Sequence, residues 1–313
     1  MKVCFVGIGS IAKRHIRNLT KICKERQIEL HIDALRRNAV RGDGFPEGIE
    51  QVFTSVDELP WDYDIIFLTN PTEHHAETLA HVHDHARHFF IEKPVASLRM
   101  LNRLEQIPLR PDSVYYVACP LRYTGVIQYL KNEIDPAAVL AVRSISSSYL
   151  PEWRPGTDYR STYSAHKELG GGVDIDLIHE WDYLTYLFGM PSEVHSFTGK
   201  VSQLDIDSND YAVYIARYGN ERICELHLDY FGRKSMRTIT LFTDTDTIIG
   251  DLLAGTVSWT KSGKVIDFGD ERDAYQTREL EFFLDAVTSG DKLQEELPHA
   301  VKVLKLTQGI LEK

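Results

Sequence analysis

The sequence predicts an α/β domain with a parallel sheet, followed by an α+β domain with an open, mostly antiparallel sheet. Three observations support this prediction. Apolar runs alternate with helix-like segments over the first 120 residues. A glycine-rich turn joins the first run to the first helix. Polar and apolar residues then alternate with period two over much of the remaining chain.

The elements of the first domain follow from this alternation. Its apolar runs are short and nearly continuous, which is typical of parallel strands buried on both faces. The predicted elements are strands at 2–6, 29–35, 63–70, 88–94 and 113–120, a helix from the glycine-rich turn to about residue 26, and a helix near 74–86.

The second domain is predicted from period-two alternation and from turn signals at 218–221 (YGNE) and 261–264 (KSGK). An antiparallel sheet with one covered face explains this pattern. The predicted strands lie within 139–150, 209–219, 221–231, 236–244 and 255–268, with helices at 123–133, about 273–289 and about 297–312. We therefore predict domains at 1–119 and 120–313, with the C-terminal helix expected to pack back on the first domain.

Composition excludes several classes of partner. The formal net charge of −11 leaves no basic surplus to neutralise a nucleic acid. No run approaches the roughly 20 apolar residues of a membrane span. Four cysteines without a CxxC pair are typical of reduced thiols in a cytoplasmic protein. His81, His85 and His88 would share a helical face, but that helix lies away from the strand ends, so we expect no metal site.

The turn at residues 7–12 (GIGSIA) directly follows a strand and precedes a helix. Gly7 permits the tight turn, Gly9 lets the backbone approach a pyrophosphate, and Ala12 lets the helix pack close to the sheet. The helix N-terminus offers N–H groups to the phosphates. The expected cofactor contacts here are Gly7, Gly9, Ser10, Ile11 and Ala12. The turn therefore predicts a Rossmann domain that binds NAD or NADP; the alternative is a tight turn without a ligand.

The end of the second strand bears on the choice of cofactor. In Rossmann domains that bind NAD, an acid about 20 residues after the glycine turn binds the ribose. Asp33 lies at about this distance. The strand end itself, however, carries Arg36 and Arg37 and no acid. Arginines at this place favour the 2′-phosphate of NADP. The sequence therefore favours NADP as the cofactor. The alternative is that both arginines belong to a solvated turn and bind no cofactor.

Lys93 follows an apolar strand in the segment HFFIEKP. Ligands of open α/β sheets bind beyond the carboxyl ends of the strands, which places Lys93 near the nicotinamide. Pro94 fixes the turn and restricts Lys93 to extended backbone angles. A neighbouring strand ends at the same edge with NPTEHH. The expected cofactor contacts at this edge are Asn70, Pro71, Thr72, His75, Glu92 and Lys93.

These motifs, with the GGG…D…H segment at 170–179, resemble the Gfo/Idh/MocA family (glucose–fructose oxidoreductase and inositol dehydrogenase) over essentially the whole chain. The HE.DYL.YLFG run is similar to a sugar-biosynthesis subgroup. The resemblance implies a Rossmann domain followed by an open, mostly antiparallel sheet domain. It also implies NAD(P)-dependent oxidation of sugars, cyclitols and related polyols, with Lys93 as the catalytic lysine and Asp176 and His179 as its partners.

The sequence departs from the family pattern in three places. The histidine usually stands four residues after the aspartate, whereas His179 is three residues after Asp176 and Glu180 takes the fourth position. Pro120 stands where Asn is common, and the glycine often found before the EKP strand is missing. These departures leave the identity of the substrate open. They also leave open whether Glu180 takes part of the role of Asp176.

Hydride transfer requires a base for the hydroxyl proton. Lys93 can serve if its surroundings lower its pKa, and His179 titrates near neutral pH without large perturbation. On one helix, Asp176 and His179 share a face, so Asp176 can orient the imidazole or bind a substrate hydroxyl. We predict Lys93 and His179 as the acid/base pair. The alternative is that Asp176 and His179 only satisfy buried contacts of the helix.

The loop at 149–160 is rich in aromatic and charged residues. Aromatic rings can stack on sugars, and arginines bind phosphate or carboxylate bidentately; the alternative is an ordinary packed loop. The expected substrate-binding residues are Lys93, Arg122, Trp153, Arg154, Tyr159, Arg160, Asp176 and His179.

The sequence thus predicts a cytoplasmic NAD(P)-dependent oxidoreductase acting on a CH–OH group of a sugar, nucleotide-sugar or cyclitol. One alternative is an NAD-dependent glycosidase that acts by transient oxidation. Another is a non-catalytic dinucleotide sensor, against which Lys93 and His179 argue, because a sensor needs no acid/base pair. An open sheet face needs covering, so we expect a homodimer or homotetramer through the second domain's sheet.

Overall fold

The computed structural model describes residues 1–38, 45–219, 221–290, 293 and 296–311. The chain folds as two compact units, Met1–Ala118 with Gln276–Val301, and Cys119–Tyr275 with Lys302–Lys313. Two predictions reach beyond the described residues. Position 220 in the predicted turn at 218–221 lies outside them, as does position 312 at the end of the last predicted helix.

The first unit contains a six-stranded sheet in which every pairing is parallel. Its strands are β1 (Lys2–Val6), β2 (His31–Leu35), β3 (Ile49–Phe53), β4 (Tyr63–Leu68), β5 (Ala86–Ile91) and β6 (Tyr115–Val117). They lie in the order β3-β2-β1-β4-β5-β6. The order reverses between β1 and β4, which is where dinucleotides bind in such sheets. The sequence analysis missed β3, whose middle residues are exposed and polar.

Three helices belong to this part of the chain: α1 (Ser10–Glu25), α2 (His75–Val82) and α3 (Leu101–Glu105). Helix α2 is shorter than predicted, because the chain turns at residues 83–85 and enters β5 at Ala86. His81, His85 and His88 therefore lie on a helix, a turn and a strand, respectively. The shared helical face expected for them is wrong.

The second unit contains an eight-stranded sheet, and the predicted open, mostly antiparallel architecture is confirmed. Its strands are β7 (Val139–Tyr149), β8 (Glu193–Gly199), β9 (Tyr211–Arg217), β10 (Ile223–Asp229), β11 (Phe231–Thr243), β12 (Thr247–Asp251), β13 (Thr256–Trp259) and β14 (Val265–Asp267). They lie in the order β14-β13-β12-β11-β7-β10-β9-β8. Only the β10–β7 pair is parallel among these neighbours. Strands β8 and β12 were not predicted.

Helices α4 (Gly125–Glu133), α5 (Val173–Asp176) and α6 (His179–Phe188) belong to the second unit. The prediction that Asp176 and His179 lie on one helix is therefore wrong. Leu177 leaves the helical region with a ψ of 31°, and the N–H of Ile178 bonds to the carbonyl of Ile175 in a tighter turn. One face of the sheet is covered, because the Tyr183 hydroxyl of α6 lies 2.6 Å from Ser144 Oγ on β7.

The last two helices are α7 (Arg272–Ser289) and α8 (Glu296–Leu306). Most of α7 belongs to the first unit, where Phe283 packs edge-on against Phe67 and Phe90. Phe5 stacks on Phe67 at 4.4 Å between ring centroids. This buried aromatic cluster explains why 276–301 joins the first unit, although the predicted boundary assigned the segment to the second domain.

Candidate functional site

The turn after β1 has the geometry of a phosphate-binding loop. Gly7 has a φ of +84°, and a Cβ there would lie 2.8 Å from the Cα of Asn70. A Cβ at Gly9 would meet no atom within 4 Å, and no side chain caps α1, whose first turn carries no acid. Ala12 is fully buried. The N–H groups at the start of α1 are therefore open to an anion.

The end of β4 is fixed against this turn. Thr69 donates from Oγ1 to the carbonyl of Gly7 at 2.7 Å. The Asn70 amide donates to Thr78 Oγ1 at 2.8 Å. Pro71 and Thr72 then begin a short 3₁₀ turn that leads into α2. The NPT residues thus lie directly beside the glycine turn, as expected for residues that contact one cofactor.

His75 links the two motifs of this sheet edge. Its Nε2 lies 2.9 Å from the carbonyl oxygen of Asn70, and its Nδ1 lies 3.1 Å from that of Pro94. Burial lowers the pKa of His75, so a neutral ring donates to one of these carbonyls. The Lys93–Pro94 peptide is cis. The His75 ring thus lies between the two backbone segments, after β4 and after β5, that carry the expected cofactor contacts.

Glu92 has a partner that the sequence analysis missed. Its Oε1 lies 2.5 Å from Nε2 of His15, which is buried on α1. Burial alone would raise the pKa of Glu92, but the hydrogen bond from His15 and the charge interactions with His15, Lys93 and His75 together outweigh it, so the pKa lies below its ordinary range. A signal was present, because His15 shares the apolar face of α1 with Ala12 and Leu19.

The end of β2 carries two basic side chains without an acid at the strand end. The guanidinium of Arg36 is half-buried over the Phe45 ring, and Arg37 is exposed. Asp33 lies inside the sheet, where it accepts from the Tyr63 hydroxyl at 2.7 Å and from the Gln51 N–H at 3.2 Å. These hydrogen bonds supply the Asp33 carboxylate with partners inside the protein, so its presence is explained without a bound ribose.

The glycines before α5 serve a close approach of two chain segments. Gly170 adopts a φ of +81°. A Cβ at Gly171 would overlap the carbonyl oxygens of Tyr163 and Ser164. The glycine run therefore brings the start of α5 against the segment that follows the 149–160 loop.

Asp176 ends α5 in a buried position, with 5% of its surface exposed. The Tyr230 hydroxyl donates to its Oδ2 at 2.6 Å, and Tyr163 is a near neighbour that interacts electrostatically with this carboxylate. Burial and the neighbouring Asp176 raise the pKa of both tyrosines, so both remain donors. His179 is half-buried at the first position of α6. Nothing in the sequence pattern marked either tyrosine as a partner of Asp176.

Two further acids of the 170–189 segment hold arginines. Glu180 is fully buried and accepts from Nε of Arg237 at 2.7 Å. Asp182 accepts from Nε and Nη2 of the buried Arg122, at 2.9 Å and 2.6 Å. The charge of Arg122, which the sequence offered as a substrate ligand, is thus matched within the protein.

The 149–160 loop brings its candidates to one small pocket, which Trp153, Arg154 and Tyr159 line. The Trp153 indole donates to Ser148 Oγ at 2.9 Å. The Tyr159 hydroxyl accepts from the N–H of Asp205. Arg160 is exposed and pairs with Asp158 at 2.8 Å. Arg154 lies instead over the ring of Tyr163.

None of the described helices combines the length and the low polarity needed to cross a membrane. The described residues also contain no group of three or more metal-ligand side chains with the arrangement of a metal site.

Two family models match the chain. The model of the oxidoreductase family with an NAD-binding Rossmann fold, Gfo/Idh/MocA, matches residues 1–118, and the Gfo/Idh/MocA C-terminal domain matches 127–249. A curated relative, the uncharacterized oxidoreductase YrbE of Bacillus subtilis (strain 168), is 24% identical over 203 residues. The alignment covers 64% of this chain and 56% of the relative, so the chain spans little more than half of that protein's length.

Solved structures share the fold over nearly the whole chain. Myo-inositol 2-dehydrogenase from Lactobacillus plantarum is 19% identical, with a TM-score of 0.77 and coverage of 98% of this chain and 95% of that one. UDP-N-acetylglucosamine 3-dehydrogenase GnnA from Acidithiobacillus ferrooxidans is 21% identical, with a TM-score of 0.76 and the same coverage. Levoglucosan dehydrogenase in complex with NADH and levoglucosan is 16% identical, with a TM-score of 0.83 and coverage of 99% and 95%.

The family models cover most of the Rossmann unit and of the sheet unit, in the order that the motifs predict. The resemblance drawn from the GIGSIA, NPT, EKP and GGG…D…H segments is thereby confirmed, as is the prediction of an enzyme: the chain belongs to the Gfo/Idh/MocA family of oxidoreductases and carries its NAD-binding Rossmann fold.

Proposed function

We propose that the protein is an NAD(P)-dependent dehydrogenase that transfers hydride between nicotinamide and a hydroxyl or keto carbon of a sugar, nucleotide-sugar or cyclitol. One observation carries the proposal. The open, uncapped turn after β1 and Lys93 after β5 lie at the same carboxyl edge of the parallel sheet, joined by His75. The substrate class is supported by the structurally similar proteins, which are dehydrogenases of inositol, levoglucosan and UDP-N-acetylglucosamine.

The proposed roles follow from what each side chain can do. The start of α1 and the open backbone at Gly9 would hold the cofactor's pyrophosphate. The bound nicotinamide supplies the hydride acceptor or donor. Lys93 and His179 exchange the proton of the reacting hydroxyl. Asp176, held by Tyr230, accepts a hydrogen bond from the substrate or orients His179.

A turnover assay tests this function directly. The protein is mixed with NAD or NADP and with neutral and anionic sugars and inositols, and reduced cofactor is measured by its absorbance. Accumulation of free reduced cofactor together with a ketone product supports a dehydrogenase. Cleavage of a glycoside without net cofactor reduction would instead indicate the glycosidase alternative.

We also propose that the cofactor is NADP, bound through Arg36 and Arg37. Replacing both with alanine is expected to raise the Kd for NADP by about 10²- to 10⁴-fold, because each of the two charge-assisted hydrogen bonds contributes about 1.5–3 kcal/mol. The Kd for NAD, which lacks the 2′-phosphate, should hardly change. Fluorescence titration with both cofactors measures the effect. Tighter binding of NAD than NADP by the unaltered protein would contradict this preference.

We propose in addition that the open face of the second unit's sheet forms a homodimer or homotetramer interface. Phe197 on β8 and Ile215 on β9 are exposed, with 69% and 40% of their surface accessible. Large apolar side chains that lie together on an exposed sheet face often mark a protein–protein interface. Sedimentation or light scattering at micromolar protein should give two or four times the mass of the chain. A monomer would exclude this assembly.

A further inference from the structure

We propose that the substrate carries an anionic group, a carboxylate or a phosphate, which Arg154 binds. The inference rests on the proposed function, because it names the substrate class of that same site. It depends on which arginines are already paired, on how the 149–160 loop contacts the surroundings of Asp176, and on the chemistry that Arg154 offers.

Two of the three arginines that the sequence nominates already hold carboxylates. Arg122 donates twice to Asp182 and is buried, and Arg160 binds Asp158 through Nε and Nη2. Arg154 differs from both. It is exposed and makes no ion pair with any carboxylate in the described part of the chain. It therefore keeps a charge to offer to a ligand.

The loop reaches Asp176 by two parallel contacts. The guanidinium carbon of Arg154 lies 5.7 Å from the centroid of the Tyr163 ring, and Tyr163 interacts electrostatically with Asp176. The Trp153 ring meets Tyr230 edge-on at 5.2 Å between centroids, and the Tyr230 hydroxyl donates to Asp176. Consecutive loop residues thus pack on two tyrosines beside the proposed catalytic carboxylate, and one of them, Tyr230, holds it by a hydrogen bond. A sugar bound at Asp176 would therefore lie near Arg154, with the Tyr163 ring beside both.

The chemistry of this contact suits an anion. A guanidinium over an aromatic face is attracted to the ring while its N–H edge stays available. That edge matches two oxygens of a carboxylate or a phosphate. The Trp153 ring beside it supplies an apolar surface for a sugar ring, and both residues line the same pocket. We infer that neutral polyols bind this site more weakly than sugars with an acidic substituent.

The test compares one neutral and three anionic sugars on the intact protein saturated with oxidised cofactor. Calorimetry measures the Kd of glucose, glucuronate, glucose 6-phosphate and UDP-glucose. At least one anionic sugar is expected to bind about 10- to 100-fold more tightly than glucose. Glucuronate identifies a carboxylate site, glucose 6-phosphate a monophosphate site, and UDP-glucose a site for a bridging diphosphate.

Arg154→Gln should remove this preference and leave the Kd of glucose unchanged, whereas Arg154→Lys should keep part of it. Arg233→Gln is the matched control, because Arg233 is also exposed and lies 3.9 Å from the Tyr149 ring centroid. Tyr149 points to the opposite sheet face from Ser144, Ser146 and Ser148, by alternation along β7. The control should retain the preference.

Two outcomes overturn the inference. One is a preference for anionic sugars that survives in Arg154→Gln. The other is that no anionic sugar binds more tightly than glucose, including the case in which none binds. Cofactor reduction is measured in parallel. Turnover of a neutral sugar without charge preference removes the inference alone, whereas charge preference without turnover of any compound removes the proposed function alone.

Discussion

Lys93→Met is expected to lower kcat by about 10²- to 10⁴-fold, the usual loss on removing a general acid or base. Methionine keeps the length of the side chain and removes the group that exchanges the proton. Cofactor affinity should be largely retained, since the backbone at Gly9 and the start of α1 hold the phosphates. Steady-state kinetics and a separate cofactor titration measure the two quantities.

A second substitution separates proton transfer from charge. Lys93→Arg keeps the positive charge, but a guanidinium does not release its proton near neutral pH. We expect it to be nearly as inactive as Lys93→Met. Lys24→Met, at the exposed end of α1, is the control and should retain full turnover. Full activity in Lys93→Met would contradict the role of Lys93, and nearly full activity in His179→Ala would remove His179 from the acid/base pair.

The first unit could be predicted well because its signals are local. A glycine turn between a strand and a helix needs only a few adjacent residues to be recognised, and Gly7 lies against Asn70 in the structure, as that motif requires. Apolar strands buried on both faces stand out in the sequence. Strand β3 was missed because its polar middle residues do not form such a run.

The interior of the second unit could not be predicted to the same depth, because its contacts are made between distant residues. Arg122 and Asp182 are 60 positions apart, and Tyr230 and Asp176 are 54 apart. The sequence shows that an arginine or a carboxylate is present, but it does not show which charges neutralise each other. This is why Arg122 and Arg154 are equivalent candidates in the sequence, although of the two only Arg122 pairs with a carboxylate among the described residues.

The break between α5 and α6 has a similar origin. The residues at 173–188 have ordinary helix propensities, and their local pattern favours one helix. Tertiary contacts override that preference, since Asp176 is bonded to Tyr230 and Glu180 to Arg237 from opposite sides of the break at Leu177 and Ile178. The shortened spacing between Asp176 and His179 thus falls in a tighter turn.

Glu180→Ala is expected to lower the free energy of unfolding by about 3–5 kcal/mol, the usual cost of breaking a buried ion pair. Glu180 is fully buried, and the Arg237 side chain is 21% exposed, so the substitution leaves a largely buried guanidinium without this carboxylate. Burial alone would lower the pKa of Arg237, but the charge and hydrogen bond of Glu180, together with Tyr183 and Tyr275, more than offset this effect, so the pKa is raised. Chemical denaturation of the intact protein measures the loss.

Two comparisons attribute this loss to the buried charge. Asp62→Ala breaks the Lys2–Asp62 pair, which is as short, 2.6 Å against 2.7 Å, but has side chains that are 31% and 71% exposed. It should cost at most about 1 kcal/mol. The double variant Glu180→Gln with Arg237→Met removes both charges and should be more stable than Glu180→Ala, because no unpaired ion remains. A loss below about 1 kcal/mol in Glu180→Ala would show that the pair contributes little and would return Glu180 to the candidates for the reaction itself.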